Sequence, residues 1–144
     1  SARQAGSPKS ARRRSSASVP AGGAFHWPPT GFLEFEVVGE SNYQPALSAA
    51  ADGKPAGAEG IEVTASLVPE DSNRFDPYAV AVQIDGRTVG YLSRDDARSF
   101  RRRLGQKGQT GCVTTCDAAI VGGAMRSDGT QLFYGIRLDL KPFN

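Results

Sequence analysis

The sequence is poor in the residues on which metal sites and nucleophilic enzymes depend. Among its 144 residues there are one histidine, His26, and two cysteines, Cys112 and Cys116. A structural zinc site usually takes four such ligands at suitable spacing, and a catalytic nucleophile needs a base within reach. The sequence contains neither a recognisable set of zinc ligands nor a recognisable pair of nucleophile and base. The sequence therefore predicts a protein that is not an enzyme and that takes no metal or other cofactor.

The chain also lacks a long apolar run. No stretch approaches the ~18 residues of a membrane-spanning helix, and no charged start, apolar middle and small-residue cleavage site marks a secretory signal. The two cysteines fall in a strand predicted over residues 110–121, which would hold them about 13 Å apart, too far for a disulfide. We interpret them as small buried residues in a reduced cytoplasm.

Charge is distributed unevenly along the chain. Residues 1–30 contain five of the 17 basic residues and no acid, which leaves 12 basic residues against 15 acids, a net charge of about −3, in residues 31–144. A domain that coats nucleic acid through charge alone should itself be basic. Any nucleic-acid contact of the body must therefore be a local pocket.

Residues 1–30 have the composition of a disordered tail or linker. They are rich in Ser, Ala, Gly, Pro and Arg. Because the segment has few apolar side chains to bury, folding it would not offset the conformational entropy that the chain loses on ordering. The run "SARRRSSAS" is typical either of nonspecific phosphate contact or of a solvated linker. Phe25 and Trp27 could pack on the edge of the folded domain, which we place at residues 31–144.

That domain alternates between strand and helix patterns. Apolar residues at every second position predict strands in "FLEFEVVG", "IEVTASLV" and "TQLFYGIRLDL". Two more flank Asp85-Gly86, a strong hairpin signal, and "TGCVTTCDAAIV" is the sixth. The segment containing Pro45 and the segment that begins at Ser93 predict two short helices. The predicted order is β-α-β-β-β-α-β-β.

This order favours a barrel. Six short strands and two short helices cannot bury a two-layer open sheet at this length, whereas closure removes the exposed edges. We therefore predict a mainly β fold, a small six-stranded barrel of the oligonucleotide-binding (OB) or SH3-like type. In its last strand the inward residues are predicted to be Leu132, Tyr134, Ile136, Leu138 and Leu140, and the outward ones Phe133, Arg137 and Asp139.

Three phrases together resemble the HIRAN domain family. They are "VVGESNYQPAL" (37–47), "EDSNRFDPYAVAV" (70–82) and "GRTVGYLSRDDA" (86–97), in the family's order and spacing. The resemblance covers about residues 31–140. It implies a barrel that, in the best understood members, holds the 3′ end of single-stranded DNA in the course of repair or replication. The phosphate loop G-x-x-x-x-G-K-[ST] of the motor proteins that carry some members is absent from this sequence.

The resemblance also implies a set of pocket residues. Phe75 matches a ring that stacks on the terminal base, an interaction that contributes about 1–3 kcal/mol. Asp76 matches the acceptor for the 3′-hydroxyl, and a carboxylate there would repel a 3′-phosphate. Arg94 matches a cation that pairs with the preceding phosphate. The remaining positions are a second aromatic wall, a residue that orients the loop or sugar, a tyrosine and two polar residues: Tyr43, Asn73, Tyr91, Ser41 and Asn42.

Each main position keeps a structural alternative. Phe75 could be a core anchor that closes the loop, and Asp76 could bind the amides of its own turn. Tyr43 and Tyr91 could be half-buried aromatics at strand ends, and Arg94 could be a solvated helix residue.

Two functions therefore remain open. The first is a monomeric module that binds a nucleic-acid end, with 3′-OH single-stranded DNA as the expected partner and association with the nucleoid expected if the protein is bacterial. The DNA-binding relatives are expected to carry a basic residue and an aromatic where this chain has Ser41 and Asn42, which removes one cation and one stacking wall. Several basic residues of the second helix could compensate, although charged helix faces usually serve solubility: Arg98, Arg101, Arg102, Arg103 and Lys107. The alternative is a protein–protein interaction module that kept the barrel, lost the DNA pocket and uses outward Phe133.

Overall fold

The computed structural model describes residues 24–143. Within that range the predicted order of six strands and two helices is confirmed, with one added 3₁₀ turn, Glu40–Asn42, before the first helix. The elements are β1 (Phe35–Glu36), α1 (Gln44–Ala50), β2 (Ile61–Pro69), β3 (Val80–Ile84), β4 (Arg87–Tyr91), α2 (Arg94–Gln106), β5 (Thr114–Gly122) and β6 (Tyr134–Leu138). Among these residues no helix is long and apolar enough to cross a membrane.

The six strands of the described region form one antiparallel sheet in the order β1-β6-β5-β2-β3-β4, curled into a half-barrel. Its two edges meet immediately after β1, where Val38 and Tyr91 exchange backbone hydrogen bonds with N···O distances of 2.8 and 2.9 Å. The pairing cannot extend, because the chain enters a 3₁₀ turn at Glu40 on one side and α2 at Arg94 on the other. One residue pair therefore joins the two edges of the sheet.

Strand β1 is so short that β6 needs other partners for its first half. The Glu40 carboxylate accepts from the Ile136 amide at 2.8 Å. The Gln44 side chain accepts from the Tyr134 amide at 2.8 Å and donates to the Tyr134 carbonyl at 2.9 Å. These side chains take the place of a neighbouring strand and satisfy backbone groups that would otherwise lose hydrogen bonds. They also fix the 3₁₀ turn and α1 against the sheet.

The interior is apolar, as the alternation predicts. The fully buried members of the core include Leu67, Val80, Val82, Val89, Ile120, Ile136 and Leu138. From α2 the buried side chains are Ala97, Phe100 and Leu104, the stripe expected from helical spacing. Ser93 begins this helix by accepting a hydrogen bond from the Asp96 amide at 3.2 Å, which satisfies an otherwise unpaired first-turn donor.

Three side chains depart from the predicted facing. Leu132 is exposed rather than inward, because β6 begins only at Tyr134. Cys112 is exposed rather than buried, because β5 begins at Thr114 and not at residue 110. Cys116 is buried as expected, and burial raises the pKa of its thiol.

The third departure is Asp139, which is buried rather than outward. Its carboxylate accepts hydrogen bonds from the Thr30 hydroxyl, from the Thr30 amide at 2.7 Å and from the Gly31 amide at 3.0 Å. Burial acts to raise the pKa of this carboxyl, but the hydrogen bonds from Thr30 and Gly31 outweigh it, so the pKa is lowered. Asp139 thus anchors the segment that leads into β1.

The packed region begins before residue 31. Trp27 is 4% exposed, its indole N–H donates to the Thr114 hydroxyl at 2.8 Å, and its ring centroid lies 5.6 Å from that of Phe100. The Thr115 amide donates to the Phe25 carbonyl at 2.9 Å, and the Trp27 amide donates to the Thr115 carbonyl at 2.8 Å. Part of the segment assigned to the tail is therefore core. The rest of that predicted tail, residues 1–23, lies outside the described residues.

Replacing this buried indole should destabilise the domain strongly. We expect Trp27→Ala to lower the free energy of unfolding by about 3–5 kcal/mol, because it empties a buried site next to Phe100 and orphans the Thr114 hydroxyl. Urea denaturation followed by circular dichroism measures the change. Phe32→Ala is the matched control, since that ring is 65% exposed. Equal, small effects of the two substitutions would contradict a core role for Trp27.

Removing the Asp139 charge should change the dependence of stability on pH. Because its native pKa is lowered, the carboxylate stabilises the fold above its unfolded pKa of about 3.9, and this contribution is lost as the pH falls through the native value. We expect Asp139→Asn to cost about 1–3 kcal/mol at pH 7 and less at pH 3, which lies below the unfolded pKa. Denaturation at both pH values tests this, with Glu59→Gln, an exposed acid, as control. A cost that is independent of pH would contradict it.

Candidate nucleic-acid interface

The loop between β2 and β3, residues 70–79, carries three of the eight predicted site residues. The Glu70 amide donates to the Ala79 carbonyl at 2.9 Å, which joins the two ends of the loop. Inside the loop, the Asn73 side-chain oxygen accepts from the amides of Phe75 and Asp76 at 2.9 and 3.1 Å. Asn73 therefore fixes the backbone that presents the other two residues, as asparagine does in turns of this kind.

The Phe75 ring points into solvent. It is 84% exposed, so the alternative of a core anchor is wrong. The backbone of Phe75 is nevertheless held on both sides, with its amide on the Asn73 side chain and its carbonyl accepting from the Arg94 guanidinium at 3.3 Å. An exposed ring on a fixed backbone can stack on a ligand without first ordering the loop.

Asp76 contributes to the turn with one carboxylate oxygen only. Its Oδ1 accepts from the Tyr78 amide at 2.9 Å, which is the turn role expected of an Asp at this position. Within residues 24–143 its Oδ2 has no hydrogen-bond partner. The turn role and an acceptor role toward a ligand are therefore compatible.

Tyr91 and Glu70 connect this loop to β4 and to Tyr43. The Glu70 carboxylate accepts from the Tyr91 hydroxyl at 2.9 Å and from the Asn73 amide group at 3.0 Å, both on Oε1. Burial, and then the hydrogen bond to Glu70, raise the pKa of Tyr91, so its hydroxyl stays a donor at neutral pH. On its other side Tyr91 meets Tyr43, with ring centroids 6.2 Å apart.

Two arginines of α2 border the loop. Arg94 donates to the Phe75 carbonyl, and the Arg98 guanidinium lies 5.6 Å from the centre of the Tyr78 ring, which is 50% exposed. Phe75, Tyr78, Arg94 and Arg98 thus form one exposed surface, the aromatic–basic face. Its two rings and two cations suit the bases and phosphates of a single strand.

Arg101 has a structural role, whereas the sequence suggested only a cation that could compensate at a ligand site. Its guanidinium donates to the carbonyls of Pro77, Tyr78 and Ala79 at 3.2, 3.2 and 2.9 Å and forms an ion pair with Asp71. It therefore holds the loop against α2. The sequence carried a signal for this role, because residues 94, 98 and 101 follow helical spacing and therefore lie on the same side of α2, next to its buried stripe.

Arg103 is likewise not available for compensation. It donates to the carbonyls of Lys141 and Pro142 at 2.7 and 3.0 Å, and its guanidinium lies 4.0 Å from the Phe143 ring centre. Burial lowers its pKa. Arg101 and Arg103 are therefore held by backbone carbonyls of the protein itself, whereas Arg94 and Arg98 border the aromatic–basic face.

Ser41 and Asn42 lie apart from the loop. They occupy the 3₁₀ turn and are exposed, and among the described residues neither makes a hydrogen bond to residues 70–79. Asn42 and Tyr43 instead border an open depression of about 310 Å³. The predicted residues therefore form two groups, one in the loop and one on the turn, connected through Tyr91.

Comparison of the chain with protein-family models, with curated protein sequences and with solved structures finds no match. Within residues 24–143 no cluster of three or more His, Cys, Asp or Glu side chains is placed to hold a metal ion. The resemblance to HIRAN domains thus remains a prediction from the three sequence phrases.

Loss of the Arg101 contacts should loosen the loop. We expect Arg101→Ala to cost about 1–3 kcal/mol, because several hydrogen bonds to a charged group disappear. Trypsin should then cut faster after Arg74, which is exposed within the loop. Limited proteolysis with peptide mass analysis measures this cleavage. Arg102→Ala is the control, because Arg102 bonds only to Ser99 in the same helix. Equal cleavage of both variants would refute the role of Arg101.

Proposed function

We propose that the aromatic–basic face binds the end of a single-stranded nucleic acid, with 3′-OH single-stranded DNA as the preferred ligand. One observation carries this proposal: Phe75 exposes 84% of its surface while its backbone amide and carbonyl are both fixed. An exposed Phe75 ring does not contribute the stabilising free energy that a buried phenylalanine side chain would contribute to the fold. A stacking role gives that exposure a use.

The groups around Phe75 match a strand terminus. A base would stack on the ring, Arg94 and Arg98 would pair with phosphates, and the unpaired Oδ2 of Asp76 would accept from a terminal hydroxyl. The same oxygen would repel a terminal phosphate, which makes Asp76 a discriminator between the two ends. The site would act locally, because the body as a whole carries a net charge of about −3.

The fold is compatible with this proposal. The Val38–Tyr91 pair brings the two edges of the curled sheet together, which supports a nearly closed barrel of the OB or SH3-like type. The resemblance to HIRAN domains supports the same ligand, a role in DNA repair or replication, and action as a monomer without catalysis. All of these belong to the proposal.

A second candidate function rests on a different surface. At the β5–β6 hairpin, Phe133 is 69% exposed, Met125 58% and Leu132 40%. Exposed apolar side chains close in the chain favour a protein–protein contact. This surface would serve the alternative of an interaction module, and it can be tested separately because it shares no residue with the aromatic–basic face.

Fluorescence anisotropy with a labelled single strand, ended in 3′-OH or in 3′-phosphate, tests the main proposal. We expect wild type to prefer the 3′-OH strand. Phe75→Ala should weaken binding about tenfold, because the stacking interaction is lost. Asp76→Asn should abolish the preference while keeping the turn, since an Asn side chain can still accept from the Tyr78 amide.

Matched controls separate the site from the tail and from the second surface. Phe133→Ala and Asp128→Asn remove another exposed ring and another exposed acid, and both should bind DNA like wild type. Binding that is equal for the two ends, unaffected by Phe75→Ala and abolished only by deletion of residues 1–23 would refute the proposal and assign DNA contact to the basic tail. Loss of a protein partner in Phe133→Ala alone would favour the second function.

A further inference from the structure

The loop between β2 and β3 contains the same ring-presenting turn twice. In the first turn the Asn73 side-chain oxygen accepts from the Phe75 amide at 2.9 Å. In the second, three residues later, the Asp76 carboxylate accepts from the Tyr78 amide at 2.9 Å. In turns of this kind the side chain fixes the backbone two residues ahead. The aromatic residues held in this way are both exposed, Phe75 by 84% and Tyr78 by 50%, so the loop presents two rings rather than one.

Helix α2 holds the carbonyl of each of these aromatic residues. Arg94 donates to the Phe75 carbonyl at 3.3 Å, and Arg101 donates to the Tyr78 carbonyl at 3.2 Å. The backbone amide and carbonyl of both residues are therefore bonded. Because the backbone below each ring is already fixed, a ligand that stacks on Tyr78 needs as little further ordering of the loop as one that stacks on Phe75.

An exposed cation accompanies each ring. Arg94 lies at the backbone of Phe75, and the Arg98 guanidinium lies 5.6 Å from the centre of the Tyr78 ring. The two arginines are four residues apart, which is about 6 Å along the axis of α2. A stacked strand rises only about 3.4 Å per nucleotide. The spacing therefore suits two consecutive nucleotides whose bases are splayed apart, as bases are where proteins bind unpaired strands.

We infer that Tyr78 and Arg98 form a second subsite, the Tyr78 subsite, which binds the penultimate nucleotide of the strand. The inference rests on the proposed function, because Phe75 and Asp76 hold the terminal nucleotide. The penultimate base stacks on the Tyr78 ring, and Arg98 pairs with a neighbouring phosphate. The ligand is then the last two nucleotides of an unpaired 3′ end. A base-paired end does not fit, since pairing keeps the two bases in one stack.

Single abasic sites in a 3′-OH hexathymidylate test this inference by fluorescence anisotropy with the full chain. An abasic site removes one base and keeps every phosphate, so any charge contact with the basic residues 1–23 is unchanged. In wild type, an abasic site at the last or the penultimate position should weaken binding about tenfold, and one at the fourth position from the 3′ end should have no effect. Tyr78→Ala should remove the sensitivity to the penultimate site alone, and Phe75→Ala the sensitivity to the terminal site alone.

Two control variants and the wild-type pattern make each failure distinguishable. Tyr78→Phe keeps the ring and should restore the sensitivity to the penultimate abasic site. Phe32→Ala removes an exposed ring outside the loop and should keep the sensitivity to both sites. If Tyr78→Ala stays as sensitive to the penultimate abasic site as wild type, the Tyr78 subsite is refuted while the end site stands. If neither the terminal nor the penultimate abasic site weakens wild-type binding, the proposed function fails and the subsite fails with it.

Discussion

The backbone of Tyr91 exchanges two hydrogen bonds with Val38, and its hydroxyl donates to Glu70. The first contact joins the two edges of a sheet whose first strand has only two residues. The second ties the end of β4 to the loop that carries Phe75. Closure of the sheet and the conformation of the candidate site are therefore coupled through a single residue, and burial raises the pKa of its hydroxyl further above neutral pH.

The loop is ordered mainly by polar contacts rather than by apolar packing. Asn73 binds two of its amides from inside, and Arg101 binds three of its carbonyls from α2. Because these contacts satisfy the backbone, the Phe75 ring does not need to be buried to hold the loop in place. This arrangement explains how a large aromatic side chain can be both well positioned and exposed, which is the property a stacking platform requires.

Counting charges gives a misleading view of α2. Its basic residues look equivalent in the sequence, yet Arg101 and Arg103 are each held by several groups of the protein, while Arg94 makes one bond to the Phe75 carbonyl and Arg98 lies beside the exposed Tyr78 ring. Fewer cations of α2 are therefore open to a ligand than the composition suggests, and two of them, Arg94 and Arg98, lie together at the aromatic–basic face. Local concentration of this kind is compatible with a body whose net charge is slightly negative, because nearby charges dominate over distant, screened ones.

Local patterns in the sequence were sufficient to predict most of the fold. Period-two alternation identified the strands, Asp85-Gly86 identified the hairpin, and Ser93 identified the start of α2. Each of these signals acts over a few residues, and β pairing follows from burying one face of each strand. The Phe75-Asp76 motif and the nearby Arg94 were likewise visible as candidates from the sequence phrases.

The tertiary structure decided the contacts between residues far apart in the chain. Trp27 is core because it meets Thr114, and Asp139 is buried because Thr30 and Gly31 bond to it, across separations of 87 to 109 residues. That Phe75 is exposed, and so is not a core anchor, was also decided only there. Composition and spacing report what a side chain can do, but burial and hydrogen bonding depend on which distant groups the folded chain brings to it.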